Sequence, residues 1–112
     1  MINELTVDGQ VKKDIEVFED KIAFVVSIPT HKDELTGKDV FTFIKILYVG
    51  EMTDKTKNTI KAGNTIRIYG KLDSERFITK LNKAVYNKII VTEDVRKLEY
   101  DRKFGIYTEV IE

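Results

Sequence analysis

Residues 40–72 have the sequence VFTFIKILYVGEMTDKTKNTIKAGNTIRIYGKL, and this stretch decides the fold class. Apolar side chains alternate from residue 40 to residue 50, which is the period of a strand with one buried face. Residues 51–61 have the composition of a short helix, and Ala62-Gly63 ends it. Alternation then resumes over residues 64–72. The stretch therefore predicts a strand, a short capping helix and a second strand.

Two further strands are predicted before this stretch. Residues 2–18 are rich in strand-forming residues and are interrupted at Gly9, which indicates a bulge or a sharp coil of the strand. Residues 21–28 alternate up to Pro29, the only proline. A polar loop over residues 30–39 then predicts a hairpin connection into the third strand.

A fifth strand is predicted after it. Polar residues 73–76 predict a corner, and residues 77–91 predict a broken hairpin with its turn near Asn82-Lys83. The fifth strand contains the apolar run Ile89-Ile90-Val91 at the end of this hairpin, and it continues to Leu98. Three strands, a short helix and two more strands are typical of an all-β, five-stranded Greek-key OB-fold barrel with the helix between strands 3 and 4.

Length and composition fit one ordinary globular domain. The chain has 112 residues, of which 42% are hydrophobic and 34% charged, enough for one core. We expect a domain over residues 1–98 and a short C-terminal extension over residues 99–112. No apolar run approaches the roughly 20 residues that cross a bilayer, and the start does not resemble a secretory signal. Because the chain has no cysteine, disulfides and thiolate metal sites are excluded, and we expect a cytoplasmic protein without a membrane partner.

The net charge is zero, but the charges are unevenly distributed. Residues 61–90 carry seven Lys and Arg against two Asp and Glu, a balance of +5. Residues 1–60 carry eight against eleven, and residues 91–112 carry four against six. A basic segment between acidic flanks suits contact with an anionic polymer, although a solvated strand face has the same composition.

Residues suited to catalysis are scarce. His31 is the only histidine, so it has no second imidazole or thiol beside which to act as a ligand or a base. The sequence has no glycine-rich phosphate loop and no paired-carboxylate spacing. We therefore expect no enzyme activity, no cofactor and no metal site.

The outward-facing positions of the predicted strands carry rings and cations. Bases of a single-stranded nucleic acid stack on aromatic rings while Lys and Arg follow the phosphates. The alternative is that these faces are buried, under the helix or a second subunit. The predicted nucleic-acid-binding residues are Phe41, Phe43, Lys45, Arg67, Tyr69, Lys71, Arg76, Phe77, Lys80 and Lys88.

Over about residues 2–98 the sequence resembles the bacterial and phage single-stranded DNA-binding protein (SSB) family. The most specific segment is residues 61–72, KAGNTIRIYGKL, which is similar to the family's lysine–glycine turn, hydrophobic strand and Gly-x-Leu ending. Residues 3–11, with Gly9, resemble the opening strand, and residues 41–50 resemble the third strand. The resemblance implies an OB fold that binds single-stranded DNA without sequence specificity.

The resemblance also implies roles for individual residues. Phe43 and Phe77 match the positions of base-stacking tryptophans, and Lys45 matches a basic DNA-contact position. Where the family has another stacking aromatic, in the loop between strands 2 and 3, His31 is the only ring. Val49 stands where the family often has phenylalanine. These departures predict weaker binding or a smaller site.

Partners and setting are implied in the same way. The family resemblance implies a homodimer or homotetramer that acts in DNA replication, recombination or repair, with replication proteins as candidate partners. Residues 107–112, YTEVIE, do not resemble the acidic, phenylalanine-containing tip with which family members recruit partners, which favours a phage, plasmid or mobile-element protein. The main alternative is an OB-fold primosome or replisome adaptor that binds protein through its exposed aromatics. RNA in place of DNA is a further alternative.

Overall fold

The structure, a computed structural model, describes residues 1–111 and consists mainly of strands. Glu112, the last residue of the predicted extension, lies outside the described residues. The elements in chain order are β1 (Leu5–Val11), β2 (Glu16–Val17), β3 (Ile22–Lys32), β4 (Asp39–Tyr48), α1 (Asp54–Thr59), β5 (Thr65–Ile78), β6 (Ala84–Asp101) and β7 (Ile106–Glu109).

Five of these strands close into a ring. Their order is β1-β5-β6-β4-β3, and the end of β1 pairs with β3 to close it, Val11 opposite Val26. β4 and β6 run parallel, whereas the other neighbours in the ring run antiparallel. The two-residue β2 pairs with β3, and β7 pairs with β6. The predicted all-β, five-stranded Greek-key arrangement, with a short helix between the third and fourth ring strands, is confirmed.

The core fills the ring because each ring strand turns its apolar positions inward. Ile66 and Ile68 on β5 and Ile46 and Tyr48 on β4 are buried, as the alternation predicts. Each fully buried aliphatic side chain contributes about 1.5–3 kcal/mol through its removal from water. The hydroxyl of Tyr48 donates to the Glu51 carbonyl at 2.7 Å, so this buried ring keeps its polar end satisfied.

The helix α1 lies between β4 and β5 in the chain and is shorter than predicted. The side-chain oxygen of Thr53 accepts a hydrogen bond from the Thr56 amide at 3.1 Å, so the helix begins after its N-cap and not at residue 51. Ile60 follows the helix and is buried in the core. No helix within residues 1–111 is long and apolar enough to cross a membrane.

The hairpin between β5 and β6 differs from the prediction. The corner expected at residues 73–76 is wrong, because β5 continues through it to Ile78 and pairs with β6 along its whole length. Most of these residues are exposed, so their polar composition is that of a ribbon exposed on both faces and not of a corner. The turn near Asn82-Lys83 is confirmed, and Asn82 has a positive φ of 59°, which Asn tolerates. Residues 74–88, which pair with no other described strand, are called the hairpin arm.

The connection between β3 and β4 is also tighter than predicted. β3 continues to Lys32, so the turn comprises residues 33–38 and not 30–39. The Asp33 carboxylate accepts hydrogen bonds from the Leu35 and Thr36 amides at 2.8 and 3.1 Å. These two hydrogen bonds hold the pKa of Asp33 below its ordinary value, and the one from Thr36 has the larger effect.

The chain after Leu98 folds back as a strand. β6 runs on to Asp101, and β7 returns beside it with Glu109 opposite Leu98. The rings of Tyr100 and Tyr107 meet edge to face, with centroids 5.2 Å apart. This second hairpin places the carboxylate of Glu109 against β5.

Candidate nucleic-acid interface

The outer face of β4 exposes two phenylalanine rings. Phe41 and Phe43 point away from the core and are 48% and 63% exposed, so neither is buried within the chain. The ammonium group of Lys12 lies 5.9 Å from the centre of the Phe43 ring. Sequence analysis missed Lys12 because it follows β1, far from Phe43 along the chain, and only the pairing of β1 with β3 places it beside this ring.

Lys45 lies on the same face and is paired across the sheet. Its ammonium group donates to both carboxylate oxygens of Glu75, at 2.8 and 3.0 Å. The two side chains remain about two-fifths exposed, so this ion pair contributes little to stability. Its position matters more, because a phosphate that takes over these two hydrogen bonds of Lys45 displaces Glu75.

Phe77 shares this outer face because it follows Glu75 by two positions on a regular strand. It is 44% exposed and lies opposite Val85 on β6. Phe43 lies two positions before Lys45 on β4, as Phe77 lies two positions after Glu75 on β5. Because the ion pair joins Lys45 to Glu75, the two rings lie on one surface, on either side of this pair. Phe41, Phe43, Lys45 and Phe77 are called the stacking surface. Lys71 lies on the same face of β5 as Glu75 and Phe77, and it is exposed at the margin of the stacking surface.

Arg67 and Tyr69 lie on the outer face of β5, but their polar groups are already occupied. Two guanidinium nitrogens of Arg67 donate to the two carboxylate oxygens of Asp8, at 2.8 and 3.0 Å. The hydroxyl of Tyr69 donates to Glu109 on β7. The same Glu109 carboxylate lies 3.8 Å from Arg67.

Arg96 on β6 completes this group. It donates to both oxygens of Asp94 at 3.0 and 3.1 Å and to Glu109 at 3.2 Å. Its guanidinium carbon lies 5.4 Å from the centre of the Tyr69 ring, within cation–π range. Asp8, Arg67, Tyr69, Asp94, Arg96 and Glu109 are called the ion-paired cluster.

The electrostatics of the cluster follow from these contacts. The Tyr69 hydroxyl, and then the charges of Arg96 and Arg67, hold the pKa of Glu109 below its ordinary value. The same hydrogen bond raises the pKa of Tyr69. The carboxylate of Asp8 raises the pKa of Arg67 further, and that of Asp94 does the same for Arg96. Every cation here is matched by an acid of the chain itself, so the cluster offers no unpaired charge to a phosphate.

The other predicted residues lie elsewhere on the hairpin arm. Arg76 and Lys88 project from the face opposite to Phe77, where Arg76 faces Tyr86 and Lys88 faces Ser74. Lys80 is exposed in the turn at the tip of the arm. The structure thus divides the ten predicted residues among the stacking surface and its margin, the ion-paired cluster, and the tip and far face of the arm.

His31 is the only histidine. It is exposed near the end of β3, and its Nδ1 atom lies 3.2 Å from the Thr30 hydroxyl. Within residues 1–111, no three His, Asp or Glu side chains are grouped so that they could hold a metal ion.

No protein-family model matches the sequence, and no curated protein matches it. Solved structures do share its fold. A Plasmodium falciparum SSB, in complex with single-stranded DNA, superposes with a TM-score of 0.70 and 16% identity, over 88% of this chain and 96% of that one. The chain has an OB fold. A small single-stranded DNA-binding protein from Streptomyces coelicolor superposes with a TM-score of 0.65 and 14% identity, over 94% of this chain and 100% of that one.

The shared OB fold confirms the architecture that the sequence predicted. At these identities the likeness concerns the course of the backbone. The likeness does not extend to the side chains at the surface, which are this chain's own.

Proposed function

We propose that this protein binds single-stranded DNA without sequence specificity, and that it does so on the stacking surface. The observation that carries the proposal is that Phe43 and Phe77 are exposed on one surface, with Lys12 beside the first ring. Base stacking on such rings contributes about 1–3 kcal/mol per base and tolerates any sequence, since every base has a π face. The two similar structures support the proposal, because both are of single-stranded DNA-binding proteins.

Each group has a distinct task in this proposal. Phe43 and Phe77 stack bases, and Phe41 extends the platform along β4. Lys12 and Lys45, with Lys71 and Lys80, contact the phosphates between the stacked bases. No bond is made or broken, so the protein acts by covering exposed strands.

The zero net charge does not oppose this function. Three carboxylates neutralise the two arginines of the ion-paired cluster, and that part of the surface lies outside the proposed DNA path. The lysines at the stacking surface set the local charge that a strand would meet. We further propose that the protein acts in replication, recombination or repair, as a homodimer or homotetramer and beside replication proteins.

The test is a titration of oligo-dT by the protein and by the Phe43→Ala/Phe77→Ala variant at matched salt. Since each ring contributes about 1–3 kcal/mol, the double variant should lose at least tenfold in affinity. Phe104→Ala is the matched control, because Phe104 is 69% exposed on the second hairpin, with a lysine at 5.5 Å. Its affinity should equal that of the unmodified protein.

Two outcomes contradict the proposal. Equal affinity of the double variant and the unmodified protein would show that these rings do not stack bases. No binding at about 50 mM salt, where phosphate contacts are strong, would favour the alternative function as a protein-binding adaptor.

A further inference from the structure

One face of the hairpin arm carries cations that no acid of the chain holds. Residues directly opposite each other in an antiparallel pair share a face, so Arg76 lies beside Tyr86, and Lys88 beside Ser74, on the face opposite Phe77. This face is called the Tyr86 face, and its tyrosine is 61% exposed. Within residues 1–111 the Arg76 side chain has no hydrogen bond or ion pair, and Lys88 makes one long hydrogen bond, 3.4 Å to the Ser74 hydroxyl.

The connection between β1 and β3 carries the opposite charge. Residues 14–20, DIEVFED, hold four carboxylates and are called the acidic loop. All four acidic residues are exposed, and within residues 1–111 none of their carboxylates has an ion pair or a hydrogen bond. The lysines next to the loop do not pair with them, and Lys21 lies instead over the Phe18 ring at 5.4 Å. Val17, between the acids, is 62% exposed.

The acidic loop and the Tyr86 face lie far apart in one copy of the chain. Ile22, just after the loop, pairs with Tyr48 at the end of β4, and Tyr48 pairs with Thr92 on β6. Tyr86 comes before Thr92 on the same strand, at a distance of roughly 20 Å for a rise of about 3.3 Å per residue. The acids of one copy therefore do not reach the cations of its own arm.

Charge and exposure together select the partner of the Tyr86 face. An apolar protein surface would bury Arg76 and Lys88 without counterions, which costs free energy. The acidic loop of a second copy supplies carboxylates for these two cations and an exposed valine for the ring. One contact of this kind provides partners for two surfaces that have none within a single copy.

We propose that the acidic loop of one copy docks on the Tyr86 face of a second copy. Arg76 and Lys88 pair with carboxylates of the loop, and Val17 packs on the ring of Tyr86. The stacking surface lies on the other face of the arm and stays open. The contact therefore forms without DNA and goes beyond the proposed function. Since salt screens exposed charges, the contact weakens as the ionic strength rises.

An exchange of charges between two variants tests the contact. Arg76→Glu/Lys88→Glu makes the Tyr86 face acidic, and Glu16→Lys/Glu19→Lys makes the loop basic. Sedimentation velocity without DNA, at low salt and over a series of protein concentrations, measures the average molar mass. We expect each variant alone to have a lower average mass than the unmodified protein. The equimolar mixture should regain that mass, because the arm of each variant then fits the loop of the other.

Two results overturn the inference. The first is that either variant alone assembles as far as the unmodified protein. The second is that the mixture assembles no further than its components. Either result would leave a nucleic acid or another protein as the occupant of the Tyr86 face. Because the substituted residues are exposed, both variants should keep the melting temperature of the unmodified protein, and thermal melts check this.

Disulfide formation gives an independent measurement, because the chain has no cysteine. Val17→Cys and Tyr86→Cys are mixed and treated with a thiol oxidant, and a disulfide forms only where the two Cα atoms approach within roughly 7 Å. We expect a disulfide that joins the two variants. Phe104→Cys, at an exposed position of the second hairpin, replaces Val17→Cys in the matched control and should give far less of the mixed product. Equal yields in the two mixtures overturn the inference.

Discussion

The outer face of β5 passes through two regions that look alike in sequence and differ in their contacts. At Arg67 and Tyr69 it belongs to the ion-paired cluster, where acids from β1, β6 and β7 hold every cation. Beyond Asp73 the strand enters the hairpin arm, where Phe77 is exposed on this face and Arg76, on the opposite face, has no partner within residues 1–111. The comparison teaches that the sequence shows where a cation lies along a strand, whereas only the fold shows whether an acid of the chain already holds it.

A bulge lies between the two regions. Tyr69 faces Asp94 and Gly70 faces Thr92, so Glu93 is an extra residue on β6. A β-carbon on Gly70 would lie 2.6 Å from the Val91 carbonyl oxygen and 2.8 Å from a methyl group of Ile90. The close approach of the two strands therefore requires glycine, and the extra residue adds a local bend to β6 between the ion-paired cluster and the arm.

The largest expected effect comes from changing this junction. Gly70→Ala should lower the free energy of unfolding by about 1–3 kcal/mol, because the backbone must shift to admit the methyl group. Urea denaturation measures the effect. Lys71→Ala, at the next and exposed position, is the control and should stay within about 0.5 kcal/mol of the unmodified protein. Equal stability of Gly70→Ala and this control would show that the junction is not tight.

A smaller effect distinguishes the cations of the two regions by their response to salt. Lys71→Gln should reduce the slope of log affinity against log salt by about 0.7, the value for one phosphate contact with a single strand. Arg67→Gln should leave that slope unchanged and lower the melting temperature, since it breaks the pair with Asp8. Oligo-dT titrations at several salt concentrations, with thermal melts of each variant, provide the measurement. If Arg67→Gln also lowers the slope, the ion-paired cluster contacts DNA.

The smallest effect is a pH dependence of stability in the ion-paired cluster. The folded-state pKa of Glu109 is lowered, so its contribution is complete above the unfolded pKa, about 4.3, and is lost as the pH falls through the folded value. Glu109→Gln should therefore melt below the unmodified protein near neutral pH, and the difference should narrow as the pH falls below about 4. Glu99→Gln is the control, because Glu99 has no ion pair within residues 1–111. A difference that stays constant with pH would contradict this assignment.

The ring of strands could be predicted from the sequence because the pattern that specifies each strand lies within that strand's own residues. Alternation at Ile66 and Ile68, and again at Ile46 and Tyr48, specifies which face of each strand enters the core, and burial follows it. The hairpin arm does not show this alternation of buried and exposed residues. With both faces in water, residues 73–76 lack an apolar period, so their sequence predicts a corner where the chain forms a strand.

The contacts at the surface could not be predicted in this way. Asp8 and Glu109 lie far from Arg67 along the chain, and only strand pairing brings their carboxylates to it. Strand β7 carries no buried residue, so its sequence has no apolar alternation to predict it. The alternation did place Phe43 and Phe77 outward, and their role in stacking stays a prediction that the titration tests.

The Lys45–Glu75 pair gives the proposed DNA-binding reaction an unusual stoichiometry. Glu75 acts as a counterion that is tethered to the protein and stays with it when a phosphate takes its place. Binding at Lys45 is therefore an exchange of one anion for another, with no gain in entropy from the release of a carboxylate into the solvent. The salt slope measured for this protein should thus report fewer phosphates than the bound strand touches at its lysines.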